Sequence, residues 1–219
     1  IVRGNARASR SGVTVTGDVL QAYYKKKASG GTDLTRLDAQ GNVKISSDNQ
    51  VATGDNAVYD MSQAILVLTG KRVQFTAGAD QIVANKQLEY WEQRKMAVAR
   101  GNATVRREGR TLRADVLVAF LDRDKQGKSE VRRVQAFDNV AIVTPQDTVR
   151  ADKGVYNVKS GIATLTGNVR ITRGDSLLAG ERAEINLNTG VSRLLTALGA
   201  QSGSGRVQGL LLPRRGATG

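Results

Sequence analysis

Leu165-Thr166-Gly167-Asn168-Val169-Arg170-Ile171 is the stretch of this sequence that decides its fold. Apolar and polar residues alternate around the Gly-Asn pair, and alternation with a period of two is typical of a half-buried β-strand. Val169 and Ile171 would face one side of a sheet and Arg170 the other. The same stretch returns along nearly the full length of the chain, which indicates a repeat protein.

Five copies of this unit share a leading Gly or Asp, then Asn, then two alternating apolar residues. They begin at Gly4, Gly41, Gly101, Asp138 and Gly167, and a looser copy begins at Gly70. A second polar position follows 14 residues after the start of each good copy and 15 after the start of the loose one. Such regular spacing indicates a structural repeat. These second positions are Asp18, Asp55, Asn85, Asp115, Asp152 and Glu181.

The recurring carboxylates admit a catalytic alternative, because glycoside hydrolases work with a pair of carboxylates. A catalytic pair occurs once in a protein, whereas these carboxylates recur in almost every repeat. We therefore expect them to shape a turn or a cap in each repeat.

A longer period is superimposed on the short one. The starts of the first three copies and those of the last three lie 97 residues apart. Tyr59 and Tyr156 keep the same separation. We expect residues 4–100 and 101–197 to be tandem copies of one ancestral unit.

Short strands joined by turns account for the whole pattern. β-branched residues and glycines recur at strand spacing, turn residues separate them, and no 3.6-residue stripe persists. The sequence predicts an all-β domain over residues 1–198, with about six two-strand repeats that each add one strand to each of two sheets. Residues 199–219 are expected to form a short terminal strand and a flexible tail. Because the strand pattern is already under way at Ile1, we expect a further strand to precede it.

The inward positions of these strands are mostly aliphatic and would line an apolar interior. Some are small, such as Ala103 and Ala151, so the interior could be a slot for an apolar ligand. For each single residue, a packed core is the alternative. The predicted lining consists of Val43, Ile45, Leu66, Leu68, Val73, Phe75, Val98, Val105, Leu112, Val140, Ile142, Leu165, Val169 and Ile171.

Charge and composition exclude several functions. The 33 Lys and Arg residues against 20 Asp and Glu give a net charge of +13, which favours a polyanionic partner. The 219 residues contain no His and no Cys, which excludes His-based and Cys-based catalysis, disulfides and ordinary zinc sites. One Trp, five Tyr and three Phe without a basic-aromatic motif disfavour nucleic-acid binding. No apolar run is long enough for a transmembrane helix.

The repeats resemble a known family through the unit apolar-Thr-Gly-Asn-Val-x-Ile, a turn, and apolar-x-Ala-Asp-x-x-x-Tyr. Its clearest instances are residues 165–171 and Val149-Arg150-Ala151-Asp152 through Tyr156. Together they are similar to the OstA-type domain of lipopolysaccharide transport proteins, over about residues 1–198. This family includes LptA, the periplasmic domain of LptC and the N-terminal domain of LptD, and a free-standing chain of this length most resembles the LptA type.

The resemblance implies a twisted, open antiparallel β-jelly roll in the periplasm, whose apolar groove shields the acyl chains of lipopolysaccharide. It implies a bridge without catalysis, cofactor or metal, paired with LptC at its N-terminal edge and LptD at its C-terminal edge. Copies of the chain could also associate head to tail.

Several arginines could meet lipopolysaccharide phosphates at the groove rim through charge-assisted hydrogen bonds, with a solvated face as the alternative for each. They are Arg36, Arg106, Arg107, Arg110, Arg132 and Arg133. A second function class stays open, namely a β-solenoid that binds or cleaves an acidic polysaccharide.

Overall fold

The computed structural model describes residues 1–10, 12–28, 30–123, 129–195 and 208–210. These residues form a single antiparallel sheet of sixteen strands, which confirms the all-β prediction. The strands are β1 (Val2–Arg10), β2 (Val13–Lys26), β3 (Thr32–Ser47), β4 (Gln50–Asp60), β5 (Ile65–Thr69), β6 (Val73–Ala77), β7 (Asp80–Ala84), β8 (Gln87–Trp91), β9 (Met96–Arg107), β10 (Arg110–Arg123), β11 (Ser129–Val143), β12 (Thr148–Asn157), β13 (Ile162–Arg173), β14 (Ser176–Asn186), β15 (Val191–Leu195) and β16 (Gln208–Leu210).

The sheet is folded along a crease that crosses every long strand. We call its two sides the first leaf, to which β5, β8 and β15 belong, and the second leaf, to which β6, β7 and β16 belong. The longer strands cross the crease and contribute to both leaves. Within the described ranges, no helix is long and apolar enough to span a membrane.

The Gly-Asn pairs make the crease. At Gly41 and Asn42, β3 carries one extra residue, because these two residues lie opposite the single residue Asp55 of β4, and the pairing with β4 shifts there. Both residues have positive φ, 72° and 48°, a conformation that Gly and Asn adopt at little cost. Extra residues of this kind form a β-bulge and bend the strand, so each pair bends its strand near the middle.

The recurring acidic residues stabilise these bulges, as the expected turn or cap role requires. Asp18 Oδ2 accepts a 2.9 Å hydrogen bond from Asn42 Nδ2, and Asp152 Oδ2 accepts one of 2.8 Å from Asn168 Nδ2. In the looser copy, Asp55 instead accepts a bond from the backbone N–H of Lys71. These carboxylates therefore accept hydrogen bonds at the crease, on the outer face of the sheet.

The expectation of one strand per repeat in each of two sheets is wrong. In five of the six repeats, two long antiparallel strands continue through the crease, because the Gly-Asn pair bends a strand without ending it. The looser repeat at Gly70 instead forms four short strands, β5 to β8, which end at the crease. Residues 97 apart have equivalent pairings, as in Leu37 with Tyr59 and Val134 with Tyr156. β16 lies within the segment for which a short terminal strand is predicted, and the predicted flexible tail lies outside the described residues.

Candidate functional site

The inner faces of the two leaves form one continuous apolar cluster. Next to the crease, the side chains are fully buried and alternate in size. On the first leaf, Leu165 lies beside Gly154, where a Cβ would come within 2.9 Å of the leucine Cδ2. Across the crease, a Cβ on Gly54 of the second leaf would lie 2.9 Å from Leu68 of the first. The space next to the crease is therefore filled by protein.

Further from the crease, the inner face becomes partly accessible. On the first leaf this region carries Tyr59, Leu66, Tyr90 and Tyr156, and Tyr90 is 36% exposed. The Tyr59 hydroxyl donates a 3.3 Å hydrogen bond to Glu92 Oε2. Burial and the Glu92 carboxylate raise the pKa of Tyr59, so the hydroxyl stays neutral. These tyrosines place amphipathic rings where the two leaves separate.

A cavity of about 1360 Å³ opens between the two leaves near the C-terminal end of the sheet. Its lining includes the inward aliphatic residues Ile142 and Val149 of the second leaf and Ile185 and Leu187 on the first-leaf side. Polar groups surround this apolar floor, among them Arg110 on β10 and the turn Asn188–Gly190 between β14 and β15. An apolar floor with a polar margin suits an amphiphilic ligand.

An ion pair stands at the margin of this cavity. The Arg173 guanidinium donates hydrogen bonds of 2.6 and 2.7 Å to the two carboxylate oxygens of Asp147. A further Nη2 hydrogen bond of 3.2 Å goes to the carbonyl oxygen of Gly190, on the opposite leaf. The Asp147 side chain is 6% exposed, and its hydrogen bonds raise the pKa of Arg173. The contact therefore joins the two rims at one end of the groove.

The structure divides the predicted apolar lining into three groups. The fully buried residues beside the crease are Val43, Leu68, Val73, Val140, Leu165 and Val169. Those further out on the inner face are Ile45, Leu66, Phe75, Val105, Leu112, Ile142 and Ile171. The third group is Val98 alone, which faces outward. The outer inward-facing row is consequently the better candidate for ligand contact.

Val98 corrects the sequence prediction. It is paired with Glu89 and Val118 on the outer face of the first leaf, because its neighbours Ala97 and Ala99 take the inward positions. Glu89 is 7% exposed and accepts bonds from Arg100, Gln87 and Trp91 at 2.7, 2.7 and 2.8 Å. Val98 is buried by this outer cluster and not by the groove.

The six predicted phosphate-binding arginines do not form one cluster. Arg36 is held by Asp38 on the outer face, and the guanidinium of Arg133 lies 4.4 Å from the ring centroid of Phe120. Arg106 is also on the outer face, and Arg132 lies on the first-leaf rim. The Nε of Arg107 lies 3.4 Å from Oδ1 of Asp80. Of the six, only Arg110 lines the cavity.

Sequence reasoning missed several residues of the cavity. Val149 lies two residues before the inward Ala151 on β12, so strand alternation alone predicts that Val149 also faces inward. Ile185 gives the same signal on β14. The Asp147–Arg173 pair has no such signal, because its partners come from separate hairpins and meet only in the folded sheet. No group of three or more acidic side chains that could hold a metal ion occurs in the described part of the chain.

Comparisons with known proteins agree with this architecture. The family model described as "LptA/(LptD N-terminal domain) LPS transport protein" matches residues 1–90 and 81–191. An uncharacterized protein of Rhizobium meliloti (strain 1021) is 28% identical over 87 residues, which cover 38% of this chain and 47% of that protein. The match thus spans about half the length of this curated relative.

A solved structure is similar as well. It is LptH, described as the LptA homologous periplasmic component of the lipopolysaccharide transport device from Pseudomonas aeruginosa. The TM-score is 0.52 at 16% identity, over 61% of this chain and 95% of LptH, which supports the LptA-type β-jelly roll as the fold. Because the family model covers most of the sequence, the chain belongs to the LptA/LptD N-terminal domain family of lipopolysaccharide transport proteins, which are carriers and not enzymes.

Proposed function

We propose that this protein is a periplasmic bridge that binds the acyl chains of lipopolysaccharide between its two leaves. It passes the lipid from the inner-membrane complex to the outer-membrane translocon. The observation that carries the proposal is the cavity between the leaves, with its apolar floor and polar margin. Acyl chains would contact residues such as Ile142 and Leu187, and water would be excluded from the acyl chains.

Lipopolysaccharide phosphates would lie at the margin of the same cavity. Arg110 is exposed there and has no ion pair within 4.0 Å to a described carboxylate. An arginine can bind a phosphate through two parallel charge-assisted hydrogen bonds. Arg110 is therefore our leading candidate among the six arginines. A phosphate role at the rim stays a proposal for Arg107 and Arg132, whereas Arg36, Arg106 and Arg133 lie on the outer face.

The two edges of the sheet would carry the partners. β1 is the first strand of the sheet and pairs only with β2 among the described strands, while β15 and β16 pair only with β14. Edge strands present backbone groups that can pair with another sheet. We propose LptC at the β1 edge, LptD at the β15 and β16 edge, and head-to-tail pairing between copies of the chain.

Displacement of a polarity-sensitive fluorescent probe by lipopolysaccharide tests the groove and the phosphate contact together. Arg110→Gln should weaken lipopolysaccharide binding, and more so at low salt than at high salt, because the contact is electrostatic. Arg36→Gln is the matched control, since Arg36 lies on the outer face with Asp38. Failure of lipopolysaccharide to displace the probe would contradict the groove, whereas equal effects of the two variants would contradict only the role of Arg110.

A further inference from the structure

The outer face of the second leaf carries a concentration of positive charge that lipid binding between the leaves does not use. Strand pairing places Arg113, Arg150 and Arg170 in one row across β10, β12 and β13, with Arg106 in the adjacent row of β9. All four side chains are exposed. We call Arg106, Arg113, Arg150 and Arg170 the basic face.

The basic face has little compensating negative charge. No described carboxylate lies within 4.0 Å of any of its guanidinium groups. The closest acidic residues along its strands, Asp115 and Asp152, lie at the crease and accept hydrogen bonds from Asn139 and Asn168. The remaining carboxylate of these strands, Asp122, is near the first-leaf end of β10. The row itself therefore carries no negative charge.

Repulsion between the arginines of the basic face destabilises the folded sheet. Arg150 and Arg170 are directly paired across β12 and β13, where Cβ atoms are about 5 Å apart. Like charges in this position destabilise a sheet. Arg113 is two strands from Arg150, at a distance of about 10 Å. Fold stability does not explain a row of like charges, whereas binding of an anion would, because the anion would relieve this repulsion.

The neighbouring row identifies the kind of partner. Towards the rim, the next row contains threonines and two exposed aliphatic residues, Val143 at 42% and Leu177 at 40% exposure. Binding of a soluble polyanion requires only cationic side chains, whereas a bilayer presents phosphates with an apolar layer beneath them. Cationic and aliphatic side chains on one face fit that combination.

We propose that the basic face docks the protein on an anionic phospholipid surface. The arginines would contact lipid phosphates, and Val143 and Leu177 would enter the interface below the headgroups. The groove between the leaves stays free in this orientation, because the basic face lies on the opposite side of the second leaf. This inference does not depend on the proposed function of the groove.

Co-sedimentation of the full chain with vesicles tests the docking. The wild type should bind phosphatidylglycerol/phosphatidylcholine vesicles at low salt and should not bind pure phosphatidylcholine vesicles. The variant R113Q/R150Q/R170Q should partition about 100-fold more weakly, at about 1 kcal/mol for each arginine near an anionic surface. Its melting temperature should not fall, because the Arg150–Arg170 repulsion is removed.

A control variant with the same loss of charge separates docking from net charge. K25Q/K26Q/K159Q removes three exposed charges from the first-leaf side and should change vesicle binding less than tenfold. Equal losses in the two triple variants would overturn the proposal, as would absence of wild-type binding to anionic vesicles.

A second variant separates a bilayer from a soluble polyanion. V143S/L177S should weaken vesicle binding and leave binding to soluble dextran sulfate unchanged. If V143S/L177S binds vesicles as the wild type does, or if dextran sulfate binds through the three arginines while vesicles do not, the bilayer assignment is wrong.

Discussion

Replacing Arg173 with Gln should destabilise the protein and loosen the contact between the two rims. The wild-type side chain donates two hydrogen bonds to Asp147, at 2.6 and 2.7 Å, and one of 3.2 Å to the Gly190 carbonyl oxygen. The Asp147 side chain is 6% exposed and would lose its charged partner. A carboxylate left unpaired in such a site is costly.

The size of the effect follows from the exposure of the two partners. Breaking a fully buried pair costs about 3–5 kcal/mol. The Arg173 side chain is 58% exposed, so water replaces part of the interaction. We therefore expect R173Q to lower the free energy of unfolding by about 2 kcal/mol. Lys27→Gln is the control: its pair with Asp33 is exposed at both ends, and the loss should stay below about 1 kcal/mol.

Urea denaturation followed by circular dichroism measures these losses, and a double-mutant cycle with Asp147→Asn isolates the pair. The double variant R173Q/D147N should lose little more than R173Q, with a coupling energy of at least about 1 kcal/mol. Strictly additive losses would refute the reasoning. Release of a bound polarity-sensitive probe should also become faster in R173Q, because the contact with Gly190 across the rims is lost.

Substitutions at three further positions test the outer cluster, the crease packing and the bulges. Burial alone would raise the pKa of Glu89, but the hydrogen bonds from Arg100, Gln87 and Trp91 outweigh burial and lower this pKa. The ionised carboxylate therefore stabilises the fold at a pH above the pKa of Glu89 in the unfolded chain, and this stabilisation is lost as the pH falls through the lower pKa of the folded state. Glu89→Gln should therefore flatten the acid end of a plot of melting temperature against pH, and an unchanged acid limb would contradict this. Gly154→Ala should cost about 1–3 kcal/mol in urea denaturation, because the new Cβ crowds Leu165, and an unchanged midpoint would refute the packing. Asn139→Ala removes the hydrogen bond to Asp115 and puts Ala at a φ of 51°, so we expect a loss of about 1–2 kcal/mol, whereas Asn139→Gly should recover part of it.

Much of the fold could be predicted from the sequence because strand alternation and the Gly-Asn repeat are local signals. Val169 and Ile171 face inward and Arg170 outward, as the alternation indicates. The path of the strands through the crease could not be predicted, because a Gly-Asn pair suits a turn as well as a bulge. The choice between them depends on pairing with the neighbouring strands.

The candidate site was less predictable, because it depends on which strand faces which. Val98 looks like an interior residue in isolation, and only the register with Glu89 reveals that it faces outward. The contact of Arg173 with Asp147 and Gly190 likewise joins three separate turns and strand ends. The tandem duplication stays a proposal, which the equivalent pairings 97 residues apart support.

Site-specific photo-crosslinking tests the central claim most directly. A photoreactive side chain at Ile45 or Leu187, on the inner side of the groove, should form an adduct with lipopolysaccharide. The same group at Val155, which is 40% exposed on the outer face of the first leaf, should form none. Adducts at the two inner positions and not at Val155 are the result we predict. Equal or stronger crosslinking at Val155 would contradict a lipid-binding groove between the leaves.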